Sequence, residues 1–215
     1  MGGDPLTWTD SAPYLGVLLN KNLSWSEHIR SATSKARRTL GALRRNLKQC
    51  PRPLKERAYL AMVRPTLEYA SCIWDPHLKQ DIQLLESVQR RAARFVLNKP
   101  HRRSASKHDS VTEMISQLGW PSLQQRRARA TTTMLYRIRT GLVCVPDAYQ
   151  PCPAVTRQRR CHTQQLHVPQ ASICASQHSF VPRAARQWNA LPEEAVSAPS
   201  IEAFKAAIQD WELQF

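Results

Sequence analysis

Apolar residues recur along this chain at steps of three and four, the spacing of one face of an α-helix, and prolines rather than glycines break the pattern. After Ser24, the residues Ile29, Ala32, Ala36, Leu40, Leu43 and Leu47 form one stripe. Leu60, Val63, Leu67 and Ala70 form a second, in a helix from about 54 to 74. Ile82, Leu85, Val88, Ala92 and Phe95 form a third, in a helix from about 79 to 97. A strand buries every second residue, so these stripes do not fit a sheet. With 6 glycines against 15 prolines in 215 residues, the composition favours helices with rigid connections over a sandwich or barrel. The fold class that follows is mainly α: a helical bundle preceded by a short β-strand or hairpin, with an irregular Pro/Cys-rich loop and C-terminal helices.

Local signals set the boundaries. Tyr14 to Leu19 is a short apolar run that reads as a buried strand, and Asn20 to Asn22 make a turn. Ser24 and Glu27 have the spacing of a capping box. Pro51 and Pro53 end the first helix, and Pro65 is expected to kink or split the second. Residues 98–109 read as a basic, polar loop. Ser110 with Glu113, and Ser122 with Gln125, open two more helices that stop near Gly119 and Gly141. Leu123, Ala130, Met134 and Ile138 are expected inward on the second of these. Periodicity is lost from 146 to 179, apart from a short strand expected at 166–168. It returns around Ala184, Ala185 and Trp188, and again around Phe204, Ile208 and Trp211. Five segments result: 1–25, 26–100, 101–145, 146–179 and 180–215.

Charge is spread unevenly. The chain nets +15, yet residues 26–139 hold 24 basic and 8 acidic residues, or +16, so the remainder nets −1. Arg37 and Arg44 lie seven apart on the first helix, with Arg38 and Arg45 beside them and Arg30 one heptad earlier. Arg90, Arg91 and Arg94 occupy the C-terminal half of the third. Arg126, Arg127, Arg129, Arg137 and Arg139 are expected to crowd the surface of the helix after Ser122. Arginine forks onto phosphate oxygens and stacks on bases, so the excess points to nucleic acid.

The residues that would carry chemistry are scattered. None of the seven aspartates sits beside another, and Glu193-Glu194 follows Pro192 at a helix start, where the helix dipole accounts for it. Cys152, Cys161, His162, His167, Cys174 and His178 lack the C-x₂₋₄-C pair that opens most structural zinc sites, so no metal site is expected. There is no Gly-rich phosphate loop and no G-x-S-x-G elbow. No catalytic residue is assigned. Cys50, Cys72 and Cys144 are expected to line the core, as are at least four of the six tryptophans. Without a basic n-region, an apolar h-region or a membrane-length apolar run, the chain is expected inside the cell, in nucleus or cytoplasm, rather than secreted.

Several strings together resemble the reverse transcriptases of non-LTR retrotransposons, the LINE or jockey-like elements. They begin with Tyr14-Leu15-Gly16-Val17, Leu23-Ser24-Trp25 and Leu40-Gly41-Ala42-Leu43-Arg44-Arg45. They continue through Arg64-Pro65-Thr66-Leu67-Glu68-Tyr69-Ala70, Trp74-Asp75-Pro76 and Leu85-Glu86-Ser87-Val88-Gln89-Arg90-Arg91. Leu118-Gly119-Trp120-Pro121, Phe180-Val181-Pro182-Arg183 and Trp188-Asn189 follow in order, so the likeness spans about 14 to 207. It implies that Tyr14, Leu15, Gly16 and Val17 belong to the primer-grip strand at the edge of the palm. It implies that 26–100 is a thumb that grips template and primer, as RNA or an RNA–DNA duplex, through Arg37, Arg38, Arg44, Arg45, Arg90, Arg91 and Arg94. In such RNA-directed DNA polymerases the catalytic aspartates lie upstream, in the palm. The resemblance therefore implies a truncated part without fingers, most of the palm or any endonuclease domain, with Mg²⁺ expected only for the complete polymerase. The other reading is a helical protein-interaction or structural module derived from such an element.

Overall fold

The computed structural model describes residues 9–99, 110–147, 150–154, 162–209 and 211. Trp8, Asp109, Cys161, Asp210 and all but the first two residues of the loop expected at 98–109 lie outside these. The chain divides into two compact units, Met1–Ala70 with Pro76–Val111 and Ser71–Asp75 with Thr112–Phe215.

The first unit opens on an antiparallel hairpin, β1 (Ser11–Tyr14) and β2 (Val17–Asn20), in which Tyr14 faces Val17. The single buried strand expected at 14–19 is thereby corrected, because the chain reverses at Leu15–Gly16. Both residues have positive φ, 45° and 81°, as a two-residue type I′ turn requires. Tyr14 and Leu15 are 65% and 76% exposed, and of the Tyr14–Val17 quartet Val17 alone is buried.

Helix α1 (Ser26–Asn46) buries the expected stripe from Ile29 to Leu43. The capping box does not form. The N-cap is Trp25, with no side-chain cap bond. Glu27 instead accepts from the Ser11 hydroxyl and the Asn20 side-chain amide, each at 3.3 Å, so the hairpin's donors outcompete the helix's own amide. Helix α2 (Arg52–Ala58) runs through a π-turn at Tyr59–Val63 into α3 (Arg64–Glu68). Pro65 explains the π-turn: it lacks an N–H, and its ring needs room from the carbonyl four residues back. Widening the turn, so that the Arg64 amide bonds the Tyr59 carbonyl, gives that room without splitting the helix. The break comes later, at Ala70, which takes φ +52°. Helix α5 (Lys79–Val96), numbered after the short α4 (Ser71–Trp74) of the second unit, packs along α1. Tyr59, Val63, Leu67, Leu85, Val88, Ala92 and Val96 join Ile29 and Ala36 in a core closed to solvent.

In the second unit, α4 packs against α7 (Leu123–Arg139). The short α6 (Val111–Gln117) precedes α7. The Ser122 hydroxyl caps α7 as expected, accepting from the Gln125 amide at 3.1 Å. Gly119 and Gly141 take positive φ, 63° and 72°, after the two helices. The inward face of α7 differs from the expected one. Leu123, Arg127, Ala128, Thr131, Thr132, Leu135 and Tyr136 are buried, Ala130 is exposed, and Met134 and Ile138 are half-buried. Helices α8 (Cys174–Gln177), α9 (Phe180–Asn189), α10 (Glu193–Val196) and α11 (Ile201–Ala207) complete the unit. Its core joins Leu135, Tyr136, Trp188, Phe204 and Ile208, with the Phe204 ring stacked on Tyr136 at 4.6 Å and on Trp188 at 5.8 Å.

The strand expected at 166–168 shrinks to one bridge, Leu166 with Pro153. Asn189 holds that bridge by accepting the Leu166 amide and donating to its carbonyl, each at 2.8 Å. Trp74, Trp120 and Trp188 are buried, and Trp25 and Trp211 half-buried. Cys50 and Cys72 are half-buried, but Cys144 is exposed and does not line the core. Among the described residues, no helix is long and apolar enough to cross a membrane.

Candidate nucleic-acid interface

Six of the seven arginines singled out from the sequence line one trough in the first unit. Arg37 and Arg38 line a hollow of about 600 Å³ together with Arg30. Arg44, Arg91 and Arg94 line a second, of about 710 Å³, together with Lys48, Lys55 and Lys99. Gly41 and Arg45 belong to both, so the two hollows are continuous. Among the described residues, ten cationic side chains and no carboxylate line them.

The walls are α1 and α5, packed side by side. Their apolar stripes face each other, so the basic residues flanking each stripe rise on both sides of the seam. The Arg37 Nη2 donates to the Ser87 hydroxyl at 2.9 Å, which ties one wall to the other. Partial burial, and then the charge of Arg91, push the Arg37 pKa down. A guanidinium stays cationic through such a shift, so the trough keeps its charge. Arg90 stands apart from the other six: its Nη2 donates to the Gln83 carbonyl at 3.4 Å, and it lines neither hollow.

The cations not singled out as contacts are Arg30, Lys48, Lys55 and Lys99. Lys55 is buried, its Nζ donates to the Lys48 carbonyl at 2.9 Å and to Asn98 Oδ1, and it lies 5.6 Å from the centre of the Phe95 ring. It pins the end of α1 to the end of α5. Nothing local in the sequence announces this, because the pin needs three chain segments to meet.

The quartet Tyr14, Leu15, Gly16 and Val17 does not join the arginines. Its turn is held by Tyr69, whose hydroxyl donates to the Leu15 carbonyl at 2.9 Å, and a Cβ on Gly16 would stand 3.4 Å from the Tyr69 ring. A separate hollow of about 550 Å³ lies here, lined by Gly16, Leu18, His28, Pro65 and Tyr69 among others. His28 accepts the Leu18 amide on Nδ1 at 3.2 Å, and burial pushes its pKa down.

The second unit's arginines are partly structural. Arg127 is fully buried, with Nε 2.6 Å from Asp75 Oδ1. Arg183 lies 3.7 Å from Asp75 Oδ2 and donates to the Cys72 carbonyl at 2.5 Å and the His178 carbonyl at 2.8 Å. Burial pushes the Arg183 pKa down against the pull of Asp75. Arg139 stacks over Trp188 at 4.6 Å. The surface role expected for Arg127 is therefore corrected: it neutralises a buried carboxylate. His162, weighed as a metal ligand, faces the Trp188 carbonyl through Nε2 at 2.9 Å and accepts the Gln164 amide on Nδ1 at 3.1 Å, so both ring nitrogens serve the fold. No family model, no curated protein and no solved structure matches the chain.

Proposed function

We propose that this chain is a nucleic-acid-binding, thumb-like part of a retroelement RNA-directed DNA polymerase, which grips an RNA or RNA–DNA duplex by its backbone. The observation that carries the reading is convergence: arginines from two helices far apart in sequence line one trough that, among the described residues, no carboxylate enters. Like charges so close repel one another in solvent, and a polyanion relieves that repulsion. The resemblance across about 14 to 207 supports the choice of family. Phosphate contacts of this kind position a duplex without reading its sequence, so sequence preference is weak.

Filter binding of an RNA–DNA hybrid across a salt series tests it. The expected result is affinity that falls log-linearly with salt, with a slope of about −0.9 per phosphate contacted. No affinity at low salt, or a flat salt response, rejects the reading.

A second reading, a helical protein-interaction module, has one observation in its favour. Tyr14, Leu15, Met62 and Tyr69 are large, apolar or aromatic, and more than half exposed in the first unit. The stripe Ile29, Leu40 and Leu43, by contrast, is used up inside the unit's own core. A sharp monomer peak in light scattering with cooperative unfolding counts against this reading.

A further inference from the structure

Gly41 lies in the interior of α1, where glycine weakens a helix relative to alanine. Its φ is not in the left-handed region, so the backbone does not demand glycine. Internal packing does not demand it either. Among the described residues, a Cβ built there meets only Arg45 Nη1, at 3.8 Å, an ordinary contact with the far end of a flexible side chain. Yet Gly41 lines both hollows of the trough, and every other residue that does so is Arg45. A glycine leaves the backbone open to close approach by a ligand, and Gly41 does so on the lining of the trough.

We infer that Gly41 is the seat of a backbone phosphate. The bare helix surface forms the floor of the trough, and Arg37, Arg38, Arg44, Arg45, Arg91 and Arg94 supply cations around it. A side chain at this point would lift the polyanion off the guanidinium groups. The inference rests on the nucleic-acid reading and adds to it the point of closest approach and the part of the ligand that is held. That part is the phosphodiester backbone rather than the bases. Strand-binding grooves that hold bases offer exposed aromatic faces for stacking. Among the described residues, the one aromatic side chain lining this trough, Phe95, is buried beside Lys55.

The test uses the full chain carrying Gly41→Ala or Gly41→Leu, titrated by fluorescence anisotropy against a short RNA–DNA hybrid and a single-stranded RNA of equal length. Gly41→Ala is expected to raise the thermal midpoint, as helix propensity dictates. It should nevertheless lower hybrid affinity about threefold, and Gly41→Leu about tenfold, with the salt slope shallower by about one. The Ala variant carries the test if the Leu variant fails to fold. Wild-type affinity and slope in the Ala variant overturn the seat while leaving the nucleic-acid reading standing, as does tighter binding of the single strand than of the hybrid. A wild type that shows no salt-dependent binding overturns both.

Discussion

Asp75 shows how one residue can decide what its neighbours are for. It is buried and stands against two buried arginines, Arg127 and Arg183. Among the described residues, neither Nη atom of Arg127 has a hydrogen-bond partner, so the carboxylate is the main compensation for that charge. Removing one partner of a buried ion pair costs about 3–5 kcal/mol, because the other charge stays behind uncompensated. Asp75→Asn is expected to lose stability of that order, read as a lower urea midpoint. A change below about 1 kcal/mol would mean that solvent reaches the pair and that it behaves like a surface bridge. His28 gives a pH-dependent counterpart. Burial holds its folded pKa below the ordinary value of about 6.5. As pH falls, the unfolded chain therefore takes up the proton first. The stability linked to neutral His28 is full above about pH 6.5 and is lost as pH falls through the lowered folded pKa. His28→Asn keeps an acceptor for the Leu18 amide and removes the titration. Urea midpoints of the two proteins are expected to converge, or cross, as pH drops through that window. A constant gap would assign no titrating role to His28.

At the scale of the element, the hairpin turn is built against local preference. Leu15 sits at φ +45°, where a side chain other than Asn or Asp is strained, and it is exposed, so burial does not compensate. Leu15→Asn is expected to stabilise the first unit by about 1 kcal/mol, seen as a higher thermal midpoint. A lower midpoint would show that the leucine makes a contact the turn needs. The same turn marks where sequence reading runs out. Helices α1 and α5 are legible because stripes at steps of three and four report a helix wherever its face is buried. The turn is not, because Tyr14-Leu15-Gly16-Val17 lacks the Asn-Gly pair that usually announces a two-residue reversal. Ser24 and Glu27 have the right spacing for a capping box, but Glu27 answers to Ser11 and Asn20, which come from elsewhere in the chain. The inward face of α7 is hidden from the sequence for a related reason. An arginine reads as surface until Asp75, more than fifty residues earlier, is known to meet it. The trough itself was half legible. The two arginine clusters are visible in sequence, but their convergence depends on α1 packing along α5.

For the whole molecule, the question is whether binding follows the trough or only the overall charge. The first unit holds 20 basic and 8 acidic residues, or +12, which leaves 11 and 8, or +3, for the second. A diffuse field from +12 would attract a polyanion even without a shaped site, and any exposed arginine in that unit would then matter about equally. A trough predicts otherwise. Arg44 and Arg45 are exposed and line it, whereas Arg57 is exposed on α2 and lines neither hollow. Each phosphate contact removed should flatten the salt slope by about 0.9. Arg44→Ala with Arg45→Ala is therefore expected to flatten the slope for an RNA–DNA hybrid by about two, whereas Arg57→Ala leaves it nearly unchanged. Arg186→Ala, exposed on α9 in the second unit, should also leave it unchanged. Equal effects per charge removed at all three places would mean that the chain holds nucleic acid by its field and that the trough is only where the field is strongest.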